Sequence, residues 1–143
     1  MPIVTDDAGL RRILTLPRQI AVLGAKESPT EAAWYVPAYL HGVGFPIQGV
    51  NPKLAGTDWL GQSAVASLSE AKPAAILQVF RRSDALDAVA TDVLALSWTP
   101  EVVWFQLGIV NDAAAGRLSD RGITVVQDRC MMPEHRRLVG RRL

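Results

Sequence analysis

The sequence predicts an α/β fold: a doubly wound, mainly parallel sheet of five to six strands with helices on both faces. Three observations carry that expectation. Short runs such as Ile20-Ala-Val-Leu23, Ala74 to Phe80 (broken only by Gln78) and Val102 to Phe105 are apolar at consecutive positions, as strands covered on both faces are. These runs alternate with segments of helical period along the chain, and such alternation builds parallel sheets. The first run also leads straight into a glycine turn, Gly24-Ala25, ahead of a helix start. In an open α/β sheet that is a place where a phosphate can sit.

In chain order, Asp6-Asp7 opens a helix with Leu10, Ile13 and Leu14 on one face, and Pro17 stops it. Acidic residues at its start and Arg11 and Arg12 later suit the helix dipole. Gln19 to Leu23 is the first strand. A helix is predicted from about Ala33 to His41. Pro37 is tolerable there if it stands close to the helix start, where amides lack partners. Gly42 and Gly44 end that helix. The preceding loop is longer than the ~2–6 residues usual between strand and helix, which hints at function. Phe45 to Val50 is the second strand. Leu54 to Gln62 reads as loop with Trp59 and Leu60 folded back, and Ala64-Val65-Ala66 as a short edge strand. Ser67-Leu68-Ser69-Glu70 has capping-box spacing. After the strand Ala74 to Phe80, Ser83 is expected to cap a helix from Asp84 to about Leu96, with Leu86, Val89, Val93, Leu94 and Leu96 as its stripe. Val102 to Phe105 is the next strand. Asn111 caps a helix from Asp112 to Arg121, and Ile123 to Val126 is the last strand.

The 143 residues are expected to form one domain, with residues 1–18 as an N-terminal helix and 130–143 as a basic C-terminal tail. A net charge of +1 supplies no broad field for nucleic acid. Arg129, His135, Arg136, Arg137, Arg141 and Arg142 crowd the C-terminus without interleaved aromatics, so they read as a solvated end rather than a nucleic-acid contact. A single cysteine, Cys130, excludes an intrachain disulfide and favours a reducing compartment. Asp6 and Asp7 interrupt any apolar leader, and no apolar run approaches the ~20 residues of a membrane span. The expectation is a cytoplasmic chain with no membrane association. Its oligomeric state is left open.

Ligands of such sheets bind outside the carboxyl ends of the strands. Those ends carry Gly24-Ala25-Lys26-Glu27-Ser28, Asn51-Pro52-Lys53, Phe80-Arg81-Arg82-Ser83, Gln106-Leu107-Gly108 and Asp128-Arg129-Cys130. Lysine or arginine at four of the five describes an anionic ligand with phosphates. Each residue also has a plainer reading: Gly24 as a tight turn, Ser28 and Thr30 as caps, Asn51-Pro52 as a turn, Phe80 as core. Arg81 is favoured over Arg82 as the contact, because adjacent side chains cannot both face the sheet top. Gln106 needs a partner if buried, and Gly108 permits close backbone approach.

Cys130 is the one candidate nucleophile, with Arg129 beside it to favour a thiolate, although a lone cysteine is usually an inert buried residue. Cys130 and His135 lack further ligands for zinc. No pair of carboxylates converges at the strand ends. A dinucleotide-binding protein for NAD is a further alternative, but Asn51 and Lys53 stand where a ribose-binding acid is expected.

From about Gln19 to Leu138 the chain resembles the stand-alone CoA-binding proteins, whose Rossmann-like domain is similar to the N-terminal domain of succinyl-CoA synthetase α chains. The resemblance rests on Ile20-Ala-Val-Leu-Gly24 with Ser28-Pro29, Val50-Asn-Pro-Lys53, Gln78-Val-Phe-Arg81, Val103-Trp-Phe-Gln-Leu-Gly108, and Asp128-Arg-Cys130 with Glu134-His135. It implies coenzyme A or an acyl-CoA as ligand, with the pyrophosphate on Gly24, Ala25, Lys26 and Ser28. It further implies adenosine near Pro52, Lys53 and Phe80, and Arg81 near a phosphate. Lys26 stands where relatives often carry a small or polar residue. The catalytic histidine loop of the synthetases has no counterpart, so no reaction is carried over. A binding module is the first expectation; a thiol-linked enzyme using Cys130 with CoA is the alternative.

Overall fold

The computed structural model describes residues 3–140. Along the chain run α1 (Asp7–Thr15), β1 (Ile20–Leu23), α2 (Ala32–Gly42) and β2 (Ile47–Val50). A small hairpin, β3 (Asp58–Trp59) with β4 (Gln62–Ser63), follows, then β5 (Ile76–Val79), α3 (Leu86–Leu94), β6 (Val102–Phe105), α4 (Asp112–Ser119), β7 (Thr124–Val126) and α5 (Met131–Leu138). The five long-range strands form one parallel sheet in the order β2-β1-β5-β6-β7.

The continuous apolar runs have the predicted cause: both faces of the sheet are covered. In β1, Ile20 and Val22 enter one core while Ala21 and Leu23 enter the other. β6 repeats the division, with Val102 and Trp104 on the first side and Val103 and Phe105 on the second. The first core is closed by α1, α2 and α5, the second by α3 and α4. From β1 the chain steps outward to β2, then crosses back to β5 and continues the other way. The crevice where the direction reverses, above β1 and β5, is the expected ligand position.

The first helix is capped as expected, with Asp6 Oδ1 accepting from the Gly9 amide at 3.2 Å. The capping box at Ser67 and Glu70 is present, and Asn111 Oδ1 accepts from the Ala114 amide at 3.0 Å. Four local expectations are corrected. Pro37 is the sixth residue of α2, beyond the first turn. Residues 64–66 form no edge strand; Val65 makes only an isolated bridge to Val50, and the hairpin precedes it. Ser83 does not cap α3: it begins a 3-10 turn, Ser83–Ala85, and its hydroxyl is used elsewhere.

The fourth correction is the largest. Residues 131–138 are not a solvated tail but α5, packed between α1 and α2 with Met131 and His135 fully buried. Pro133 is its third residue, where an amide has no helical partner to lose. His135, Arg136 and Arg137 occupy its last turn, where positive charge suits the dipole. Arg137 pairs with Asp7 of α1 at 2.9 Å and with Glu134 at 2.7 Å, which holds the Asp7 carboxyl below its ordinary pKa. Arg141 and Arg142 lie outside the described residues. Among the described residues, no helix is long and apolar enough to cross a membrane.

Candidate phosphate-binding edge

At the end of β1 the chain turns through Gly24 with φ +88°. A Cβ built there would meet the Phe80 carbonyl oxygen at 2.6 Å. The residue is therefore fixed by two demands, a left-handed backbone and the close approach of the β5 end. The next two carbonyls are tied down. Asn51 Nδ2 donates to the Ala25 carbonyl at 2.8 Å, and Trp59 Nε1 donates to the Lys26 carbonyl at 2.9 Å. Trp59 reaches this point by lying over Gly49, where a Cβ would meet its ring at 2.8 Å.

Pro37 belongs to the same arrangement. It has no amide, so the Ala33 carbonyl four residues earlier loses its helical donor. The Lys26 amide donates to that carbonyl instead, at 3.4 Å. The turn is thus held by its carbonyls and by the amides of Gly24 and Lys26. Among the described residues, the amides of Ala25, Glu27 and Ser28 have no hydrogen-bond acceptor. Ala25 is fully buried, and unpaired amides in such places are rare in folded proteins.

The start of α2 adds to this edge. Its N-cap, Glu31, makes no side-chain capping bond, and there is no acidic residue in the first turn. Ser28 and Thr30 hydrogen-bond each other at 3.0 Å rather than capping the helix. A cleft of about 260 Å³ opens between this segment and the end of β2, lined by Lys26, Glu27, Ser28, Asn51 and Lys53 among others. Asn51 Oδ1 accepts from the Lys53 amide at 2.9 Å and so starts the 3-10 turn Pro52–Leu54. Both polar atoms of its amide group are committed inside the protein, while Pro52 and Lys53 are exposed.

The ends of β5 and β6 differ in kind. Phe80 is half-buried there and Arg81 exposed. Arg82 pairs with Asp84 at 2.6 Å and holds that carboxyl below the usual range. Arg81 has no carboxylate partner among the described residues. After β6, every amide from Gly108 to Asn111 already has an acceptor. Gly108 donates to Asp128 Oδ1 at 2.7 Å, Ile109 to the Gln106 carbonyl at 2.9 Å, Val110 to Ser83 Oγ at 3.0 Å and Asn111 to Gln127 Oε1 at 2.8 Å. Gly108 therefore brings no free donor to a ligand. Gln106 is turned inward and 3% exposed; its Oε1 accepts from Gln78 Nε2 at 3.1 Å and from the Met131 amide at 3.4 Å. Phe80, Arg81, Arg82, Ser83, Gly108 and Ile109 line a second cleft of about 380 Å³.

Cys130 is half-buried at the N-terminal end of α5. The guanidinium beside it is engaged elsewhere: Arg129 pairs with Glu134 at 3.1 Å and donates to the Thr5 carbonyl at 3.0 Å. His135 lies in the core, with Nδ1 2.8 Å from the Tyr39 hydroxyl. The structure thus gathers Gly24, Ala25, Lys26, Ser28, Asn51 and Lys53 at one place and Phe80, Arg81 and Gly108 at a neighbouring one. It turns Gln106 inward and keeps His135 apart. Gly49 escaped sequence reasoning, and Trp59, Pro37, Ser83 and Asp128 were read without the roles they have here. Trp59, Ser83 and Asp128 act on backbone groups distant in the chain, and only the Pro37 irregularity leaves a mark in the sequence.

The sequence profile of the CoA binding domain family matches residues 18–136. The chain belongs to that family. The Bacillus subtilis (strain 168) protein YneT is 36% identical over 129 residues, covering 90% of this chain and 93% of YneT. Among solved structures, the chain is similar to cell-free ID.343 from Thermus thermophilus, with a TM-score of 0.87 and 44% identity over 94% of this chain and 99% of that one. It is also similar to a Pyrococcus horikoshii OT3 protein, with a TM-score of 0.85 and 30% identity over 98% and 97% of the two chains. Both solved structures share this α/β fold across nearly the whole length described.

Proposed function

We propose that the chain binds coenzyme A, free or as an acyl thioester, as one binding unit without chemistry of its own. The observation that carries this reading is the pair of acceptor-less amides at Glu27 and Ser28, in a cleft lined also by Lys26 and Lys53. Oriented amides at a helix start are donors for phosphate oxygens. Coenzyme A carries a pyrophosphate and a ribose 3′-phosphate at one end and a neutral pantetheine arm at the other. The pyrophosphate takes the Gly24–Ser28 turn. Pro52 and Lys53 flank the adenosine end, and Lys53 meets its 3′-phosphate. Phe80 lies in the other cleft, so we assign it to the pantetheine arm, and Arg81 to the phosphate nearest that arm. Gln106 supports the strand ends rather than the ligand. A ribose-binding role for Asn51, as NAD would need, is opposed by the two bonds its side chain already makes.

Calorimetric titration with CoA, dephospho-CoA and NAD tests the proposal. CoA binds, dephospho-CoA binds several-fold more weakly, and NAD gives no heat. Absence of heat or thermal shift with millimolar CoA would sink it.

A further inference from the structure

We infer that the exposed apolar lip beside the second cleft, Leu107 and Val110, takes the acyl group carried at the end of the pantetheine arm, so the chain selects hydrocarbon thioesters over free coenzyme A. This rests on the proposed CoA reading and names the ligand class within it.

Five large apolar side chains are exposed among the described residues, and two of them, Leu107 at 70% and Val110 at 43%, stand three positions apart in the loop after β6. Exposed apolar side chains on a loose loop would mean little. This loop is not loose, because its four consecutive amides, 108–111, are each held by an acceptor on another segment or on the turn itself. The structure spends Asp128, Ser83 and Gln127 on keeping the loop in one shape. Asp128 does so with a left-handed backbone, φ +57°, which only a few residue types tolerate. The loop's fixed shape turns Leu107 and Val110 to solvent, beside a cleft to which Phe80 and Ile109 contribute apolar surface. Gly108 stands between, with nothing within 4 Å of where a Cβ would be.

The polar groups of this cleft are largely spent. The Ser83 hydroxyl accepts from Val110, Arg82 is paired with Asp84, and the loop amides are taken. Beyond Arg81, this surface offers a phosphate only the Ser83 hydroxyl proton and the outer N–H groups of the paired Arg82, while Phe80 and Ile109 offer a hydrocarbon a wall. The phosphate-binding turn lies on the adjoining strand, in contact with Phe80 through Gly24. One ligand that is anionic at one end and apolar at the other fits both clefts.

The test is titration of the full chain with CoA, acetyl-CoA, butyryl-CoA and hexanoyl-CoA, repeated with L107S, V110S and the double variant. A fully buried methylene is worth roughly a fourfold gain in affinity, so on an open lip the expected rise from CoA to hexanoyl-CoA is on the order of tenfold. In the double variant the ratio of hexanoyl-CoA to CoA affinity falls toward one. A flat series in the unmodified chain with CoA still bound overturns the inference alone; failure to bind CoA at all overturns the proposed function instead. An undiminished rise in all three variants moves the acyl group off this loop and overturns the inference. So does sedimentation showing a dimer that the double variant abolishes, since a second copy would then be the occupant.

Discussion

Gly24 concentrates the account at the scale of a residue. Its φ of +88° and the 2.6 Å approach of the Phe80 carbonyl leave no room for a side chain. G24A therefore loses at least about 1 kcal/mol of stability from the backbone alone, more once the β5 end is pushed away, and it loses CoA binding with it. Urea denaturation and calorimetry measure the two effects. A variant of unchanged stability and affinity would show that the turn is not the corner of the site. Pro37 makes the opposite separation. P37A supplies an amide that competes for the Ala33 carbonyl, the acceptor now used by Lys26. The helix gains a bond and the loop loses one, so stability is equal or higher while CoA affinity falls several-fold. Unchanged affinity would mean that the Lys26 contact does not shape the turn.

The elements differ in how plainly the sequence announced them. The runs at 20–23, 76–79 and 102–105 were legible because burial on both faces leaves an apolar signature, broken only by Gln78. Helix α1 was legible from Asp6, its stripe and Pro17. Helix α5 was not, because Pro133 and a run of basic residues resemble a chain end; its stripe of Met131, His135 and Leu138 is short and contains a histidine. At the site, glycine and charged residues at strand ends were readable. The bonds that aim the amides were not, since Asn51 and Trp59 act across 26 and 33 positions.

Helix α5 also carries a pH dependence. His135 is fully buried, edge-on to Tyr39 and Phe45, and its Nε2 has no partner. Arg136 is stacked 4.9 Å over the Tyr39 ring and cannot neutralise an imidazolium. Burial lowers the His135 pKa below its ordinary 6.5. The unfolded chain then binds the proton more readily, so the contribution is complete above the unfolded pKa and is lost as pH falls below it. The urea midpoint accordingly drops between about pH 7.5 and about pH 5.5, and an H135Q variant shows a smaller drop over the same window. Equal drops in both proteins would remove His135 from the account.

Across the whole molecule, the sheet order places a turn of free amides beside a loop whose amides are all used. The first suits phosphate and the second does not, although both follow parallel strands and both contain a glycine with positive φ. Membership of the CoA binding domain family and this contrast between neighbouring strand ends support one orientation of the ligand. That orientation is the central claim. Amide proton shifts during a CoA titration, followed residue by residue by NMR, test it most directly. The account predicts large downfield shifts at Glu27 and Ser28 and little change in the hydrogen bonds at Gly108 to Asn111. The reverse pattern, with the amides after β6 responding and those after β1 silent, would contradict it.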